Sequence, residues 1–324
     1  MNYYKFTKPI RLIELFGGIG SQALALKLAH IPFEHHALVE IDQHAVDSYN
    51  AIHGTQFETK DIRHTHAVEF DLWDSRYTYV MTYSVPCQDL SLVGKKRGME
   101  KGSNTNSSLL WEVERILKET KRPPEILIME NVPSVIGMKN VDSFRRWRDF
   151  LNSLGYRNFV KLLNAKDYGI PQNRKRCFMV SILGDYAYEF PRPIPLKLKM
   201  MHLLDKDVDE KYYLSPKLIS FFEKNSKDQE AKGNGFRFAP RPIDECDIAK
   251  TITTRSGWRM EGDYILDDRG IRKLTPRESW ELMGFPDFLF EKAKKVNSDT
   301  RLYMQAGNSI VVDVLQAIFE EMKA

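Results

Sequence analysis

Cysteine is scarce in this chain: there are three in 324 residues, Cys87, Cys177 and Cys246, set far apart. An odd, dispersed set excludes a disulfide scaffold and points to a reducing compartment. Long apolar runs are missing as well. Nothing approaches the roughly 20 residues of a membrane span, and no apolar stretch follows a basic head at the N-terminus. No membrane association and a cytoplasmic location are therefore expected. A large excess of one charge is absent too: the net charge is only +4, which permits a nucleic-acid partner without demanding one. No internal repeat or low-complexity tract interrupts what is an ordinary globular composition, and the length suits one large α/β domain with a smaller second one.

What is present begins as an alternation of strand and helix signals. Arg11–Leu15, Phe33–Glu40, Tyr79–Tyr83 and Ile126–Met129 read as strands. Ser21–His30, Gln43–His53, Ser108–Thr120 and Val141–Leu154 read as helices between or after them. This order predicts right-handed βαβ units on a mostly parallel sheet. Phe159–Leu163 and Cys177–Leu183 are expected to close the sheet as an antiparallel pair. The texture changes at Pro191-Arg192-Pro193-Ile194-Pro195, which breaks both patterns and reads as a linker. From there to about Asp268 charges and turns dominate. Periodicity returns in Ile310–Met322, an apolar helix expected to pack back on the first domain.

Chemistry is concentrated in the loops after those strands. Pro86-Cys87-Gln88 places a thiol just past Tyr79–Tyr83, and Glu130 follows Ile126–Met129. Thiol and carboxylate would both lie at the carboxyl ends of strands, where open α/β sheets bind ligands. A free cysteine is usually a small buried hydrophobe, but Cys87 sits in a polar loop carrying Lys95-Lys96-Arg97, where positive charge favours a thiolate. Cys177 leads into an apolar run and reads as core; Cys246 lies in an acidic, surface-like segment. Glu130 at the end of a buried strand should be desolvated and thus a usable proton donor. Upstream, Phe16-Gly17-Gly18-Ile19-Gly20 joins a strand to a helix without the full dinucleotide-binding spacing. Its helix offers free N–H groups to an anion. Glu40, about twenty residues on, suits a ribose diol, and Asp61-Ile62, after another expected short strand, suits an adenine. Arg174 and Arg176 form a basic fork fit for a phosphate or carbonyl oxygen. Seven of the eight histidines lie between His30 and His66, but they spread over several elements without compact ligand spacing, so no metal is expected.

The ordered set Phe16–Gly20, Pro86-Cys87-Gln88, Glu130-Asn131-Val132, Gln172-x-Arg174-x-Arg176, Arg272–Glu278 and Gly307-Asn308-Ser309 resembles the DNA (cytosine-5) methyltransferases, over nearly the whole chain and in the family's order. The length resembles the compact bacterial and phage enzymes of restriction–modification type. The resemblance implies a Rossmann-like S-adenosylmethionine-dependent sheet over residues 1–190, completed by 300–324, with a smaller target-recognition domain over 191–299. It implies methyl transfer from S-adenosylmethionine to C5 of a flipped-out cytosine in a specific double-stranded DNA sequence, through a covalent bond from Cys87 to C6.

Roles follow residue by residue from the same resemblance. Glu130 would hydrogen-bond N3 and the exocyclic amine, Arg176 the cytosine carbonyl oxygen, and Arg174 would lie near the nucleotide's phosphate. Phe16, Gly18 and Gly20 would surround the methionine and sulfonium, Glu40 the ribose, and Asp61 and Ile62 the adenine. Asn308 and Ser309 would return to finish that pocket. Gln88, Ser91 and Lys95 of the nucleophile loop, with Arg255 and Arg259 further on, would face DNA. Gly18 stands where many members carry Ala, and Val93 where many are polar, which puts a gap-filling role for Val93 in doubt. A monomer is expected, with a cognate restriction endonuclease acting separately. The rival readings are a transfer-RNA cytosine-5 methyltransferase on the same motifs, a nicotinamide dehydrogenase and a catalytically dead DNA-binding protein. No Cys-Phe-Thr signature supports the first, the incomplete glycine fingerprint disfavours the second, and every chemical residue needed is present against the third.

Overall fold

The computed structural model describes residues 2–86, 100–101, 105–233, 237–255 and 262–324. Cys87, Gln88, Ser91, Lys95 and Arg259 lie outside the described residues. The chain divides into two compact units. The first holds residues 1–164, 175–193 and 312–324; the second holds 165–174 and 194–311. The division therefore falls at other residues than the boundaries expected from sequence: 165–174 and 300–311 go with the second unit.

In the first unit the apolar runs become strands β1 (Ile10–Leu15), β2 (Phe33–Val39), β3 (Thr78–Tyr83) and β4 (Ile126–Asn131), followed by β5 (Tyr156–Asn164) and β6 (Lys175–Leu183). They form one sheet in the order β2-β1-β3-β4-β6-β5. β1 runs parallel to both β2 and β3, and β3 parallel to β4, whereas β6 is antiparallel to β4 and to β5. The expected closing pair is thus present and longer than its apolar stretch. Every residue of β3 and of β4 is buried, as expected of central strands covered on both faces. Helices α1 (Ser21–Leu28), α2 (Gln43–His53), α3 (Leu110–Glu119) and α4 (Val141–Ser153) alternate with these strands. Trp147 of α4 is fully buried and donates its indole N–H to the Tyr83 hydroxyl at 3.1 Å.

Four elements depart from expectation. α1 stops at Leu28 because His30 takes a left-handed φ of 53°. The helix expected from Ser108 opens as a 3₁₀ turn over Asn106–Leu109, with Thr105 as N-cap. No strand precedes Asp61; one backbone bond, Lys60 N–H to the Glu40 carbonyl at 2.9 Å, ties that stretch to the sheet edge. The terminal helix begins at Val312, not Ile310, and packs on α1 as expected. Phe6 N–H to Met322 O at 2.8 Å and Lys323 Nζ to Ala29 O at 2.8 Å secure it.

The second unit is built differently. A hairpin pairs Tyr264–Asp267 with Gly270–Lys273, and Arg241–Pro242 adds a short parallel edge. Helices Pro276–Glu281, Asp287–Lys294 and Asp299–Asn308 follow. At its centre Arg272 and Glu278, both with no exposed side-chain surface, pair at 2.8 Å, with Asp267 at 3.4 Å from the same guanidinium. Glu278 also accepts the N–H groups of Thr275 and Asp205 at 2.7 and 2.8 Å. The helix Pro216–Ala231, in a stretch that reads from sequence as turns, buries only Phe222. Its apolar periodicity is therefore weak; the Ser215 cap followed by Pro216 is its one sequence signal.

Candidate active site

The parallel register decides where the chemistry meets. Leu15 pairs with both Val39 and Tyr83, and Tyr83 with Met129. The residues after β1, β2 and β3, with the end of β4, therefore share one sheet edge. The chain leaves β1 for β2 on one side and returns to β3 on the other, which makes this the point where strand order reverses and a crevice opens.

The loop after β1 is a tight one. Phe16, Gly18 and Gly20 all have positive φ, and Gly20, at 80°, serves as N-cap of α1 without a side-chain cap bond. In the first turn of α1 the Ala23 N–H bonds to the buried Glu14 carboxyl. A Cβ on Gly20 would lie 2.3 Å from His53 Nε2, whereas one on Gly18 would meet nothing within 4 Å. One side of the loop is packed and the other open, a cradle that fits a small ligand. Glu40 closes it: its carboxylate accepts Gly18 N–H at 3.0 Å and Asp42 N–H at 2.9 Å. Burial pushes its pKa up, and those two N–H groups work against the shift.

Asp61 and Ile62 are placed less simply. Asp61 caps the turn Ile62–His64 and is gripped by the Arg63 guanidinium, whose hydrogen bonds hold it at about 2. The side chain of Ile62 belongs to the apolar core, which leaves its backbone for the expected adenine contact. Ile41, between Glu40 and Asp42, is 62% exposed at the same edge. Sequence reading missed it, although an apolar residue directly after a strand-ending acid was the available signal.

Around Glu130 the partners are well defined. Ser84 Oγ donates to it at 2.6 Å, and Arg176 Nε lies 3.2 Å away. The antiparallel β6 supplies that arginine, since Asn131 pairs with Cys177 across the ladder. The buried Glu130 carboxylate thus has a hydroxyl and an ion-pair partner. Asn131 donates to the Val85 carbonyl at 3.0 Å, and Ser107 to the Pro86 carbonyl at 2.7 Å. These two side chains hold the backbone that leads directly into Cys87; sequence reading assigned neither a role.

The other cysteines are unsuited to nucleophilic work. Burial pushes the Cys177 thiol up to about 12. Cys246, expected at the surface, is fully buried, its Sγ 3.3 Å from the Pro242 carbonyl, and burial raises its pKa too. Among the described residues no group of three or more His, Cys, Asp or Glu could hold a metal ion.

Within the second unit, Arg174 is buried and not presented to a phosphate. Its guanidinium donates to the carbonyls of Ile252, Gly307 and Ser309 at 2.7, 3.0 and 2.8 Å. Buried Gln172 donates to the Leu282 carbonyl at 2.6 Å and accepts Ile252 N–H at 2.9 Å. Gly307 lets the chain pass closely, as a Cβ there would lie 2.2 Å from Thr254 N. Together they fasten the segment that ends at the exposed Arg255. A cavity of about 400 Å³ lined by Lys166, Asn173, Lys250 and Thr251 flanks that segment. Asn308 is exposed; Ser309 is buried, its hydroxyl bonded to the Gln305 carbonyl at 2.7 Å.

Comparison with known proteins identifies the family. The chain is 33% identical to Type II methyltransferase M2.ScrFI of Lactococcus lactis subsp. cremoris, over 97% of this chain and 99% of that protein. It is 30% identical to Orphan methyltransferase M.SssI of Spiroplasma monobiae, over 98% of each. The S. pombe Dnmt2 methyltransferase shares the fold, with a TM-score of 0.78 at 22% identity, covering 96% of this chain and 97% of that one. The mixed α/β sheet is that of this structural class. Residues 10–324 match the C-5 cytosine-specific DNA methylases, and the chain belongs to that family: it is a DNA methyltransferase that takes its methyl group from S-adenosylmethionine and delivers it to C5 of cytosine.

Proposed function

We propose that this chain methylates one specific sequence of double-stranded DNA as the modifying partner of a separately acting restriction endonuclease, working as a monomer on a base swung out of the duplex. The observation that supports the site assignment best is the clamp on Val85 and Pro86 beside a paired Glu130. In this reading the Cys87 thiolate adds to C6 of cytosine, because C5 of the free ring is a poor nucleophile. Glu130 hydrogen-bonds N3 and the exocyclic amine, and Arg176 the carbonyl oxygen, as charge develops on the ring. Glu40 holds the cofactor ribose, with the loop Phe16–Gly20 beneath the methionine half and Ile41 and Asp61 toward the adenine. S-adenosylmethionine supplies the electrophilic methyl group when bound. Loss of the C5 proton then expels Cys87. Arg174 acts on the second unit's own backbone and no longer on the nucleotide. The sequence-reading region is 194–268, ahead of the buried Arg272–Glu278 pair. Among the relatives M2.ScrFI is named a Type II enzyme and M.SssI an orphan.

A duplex with 5-fluorocytosine at the target should trap a covalent adduct with the parent protein when cofactor is present. Cys87→Ser should form none and lose turnover on the order of a thousandfold or more, while still binding DNA. Full activity in that variant would remove Cys87 from the mechanism. Equal methylation of transfer RNA and duplex DNA would favour the rival substrate.

A further inference from the structure

The histidine-rich stretch has no part in the reaction proposed above, yet one of its members, His53, lies directly against the loop Phe16–Gly20 and a second, His35, packs on that ring. His53, at the end of α2, has Nε2 at 3.2 Å from the Ile19 carbonyl. That same nitrogen occupies the space a Cβ on Gly20 would need. The ring is not isolated: its centroid lies 4.6 Å from that of Tyr49 and 5.1 Å from that of His35. The Tyr49 hydroxyl donates to the fully buried carboxyl of Glu14, on β1. Its single proton being used there, it accepts from His35 Nδ1 at 2.8 Å. Glu14 stands two residues before Phe16, so a hydrogen-bonded chain runs from the strand that launches the loop, through α2, to β2.

We propose that His53 is a positioning residue for the cofactor: its Nε2–H, seated by the Glu14–Tyr49–His35 chain, fixes the Ile19 carbonyl and with it the left-handed turn at Gly20. A carbonyl accepts only, so the bond requires the tautomer with hydrogen on Nε2. Burial holds the imidazole neutral, down to a pKa of about 3, with Lys27 and His35 adding to the effect, so the donor keeps one protonation state across the working range. A loop of this kind, with left-handed positions at Phe16, Gly18 and Gly20, has many alternative conformations, and each one excluded beforehand is not paid for on binding. The inference rests on the reading of Phe16–Gly20 as the cofactor's seat.

Calorimetry of S-adenosylmethionine binding and steady-state kinetics on duplex DNA test it in three variants. His53→Leu should weaken cofactor affinity about fivefold to tenfold, the effect of losing one hydrogen bond, and raise the KM for cofactor equally. The kcat at saturating cofactor and the KM for DNA should stay within about twofold. His53→Gln, whose amide nitrogen reaches a similar point, should restore most of the affinity. Glu40→Ala is the control for the underlying reading and should weaken the cofactor by itself. If it does and His53→Leu binds like the parent, His53 does not position the loop. A parallel fall in cofactor affinity, kcat and DNA affinity without rescue by glutamine would overturn the proposal in favour of a general packing role. If Glu40→Ala also leaves affinity unchanged, the loop is not the cofactor's seat and both readings fall together. Should the leucine variant not fold, His53→Asn, whose shorter amide stops short of Ile19, is read in its place against the same outcomes.

Discussion

The two units keep their shape by different means. The first is a sheet whose central strands β3 and β4 bury every residue, mostly apolar, with helices on both faces. The second puts full charges in its interior: Arg272 against Glu278 and Asp267, and Arg241 against Asp263 at 2.7 Å. Apolar burial is non-directional and tolerates exchange of similar volumes. A buried ion pair is directional and fails sharply when one member is lost. The difference suits the division of labour proposed for them, a common reaction edge on the first unit and a particular reading surface on the second.

The comparison breaks most easily at Arg272. Arg272→Ala should cost about 3–5 kcal/mol, because it leaves Glu278 and Asp267 buried without a counter-charge. Chemical denaturation followed by fluorescence should show the loss in the unit that holds Trp280, which packs edge-on to Phe285. A loss below about 1 kcal/mol would mean that the second unit, too, stands on apolar contacts.

The first unit has buried carboxyls of its own, and Glu14 on β1 sharpens the contrast. Burial raises Glu14 to about 8, although the Tyr49 hydroxyl bonds to it. Between its ordinary value and about 8 the folded protein keeps a proton that the unfolded chain has released. Stability is thus fully present at low pH and falls as pH rises through that window. From pH 6 to 8 the loss should be about 2 kcal/mol, and Glu14→Gln should remove that part of the pH dependence. Melting curves of both proteins at the two pH values measure it; identical slopes would mean that Glu14 is ionised in the fold.

The smallest effect is confined to one base position. If the second unit reads and the first reacts, Arg255→Ala should relax the methylated sequence at one position, by about 1–3 kcal/mol of discrimination, without slowing methylation of the original site greatly. Sequencing of methylated genomic DNA decides this. A motif as strict as the parent's would move the reader elsewhere in the second unit.

Much of the first unit was legible in the chain. Short β-branched and aliphatic runs, separated by helical periodicity, can bury themselves only in a covered parallel sheet, and parallel strands bring their carboxyl ends to one edge. That alone put Glu40, Glu130 and the end of β3 in one neighbourhood. The surroundings of Ile62 and Arg174 were not legible, because neither has a local signature of burial: one side chain turned into the core and the other onto three carbonyls. The helix Pro216–Ala231 escaped because it buries a single side chain.

Local pattern by itself thus determined the succession of strands and helices and the loops where chemistry sits, since hydrophobic period and strand ends are properties of neighbouring residues. Only the tertiary structure decided which polar groups meet. Asn131 grips Val85 across 46 positions, Ser107 grips Pro86 across 21, and His53 reaches Ile19 across 34. Hydrogen bonds over such distances depend on how helices dock and strands register, and no spacing along the chain encodes them.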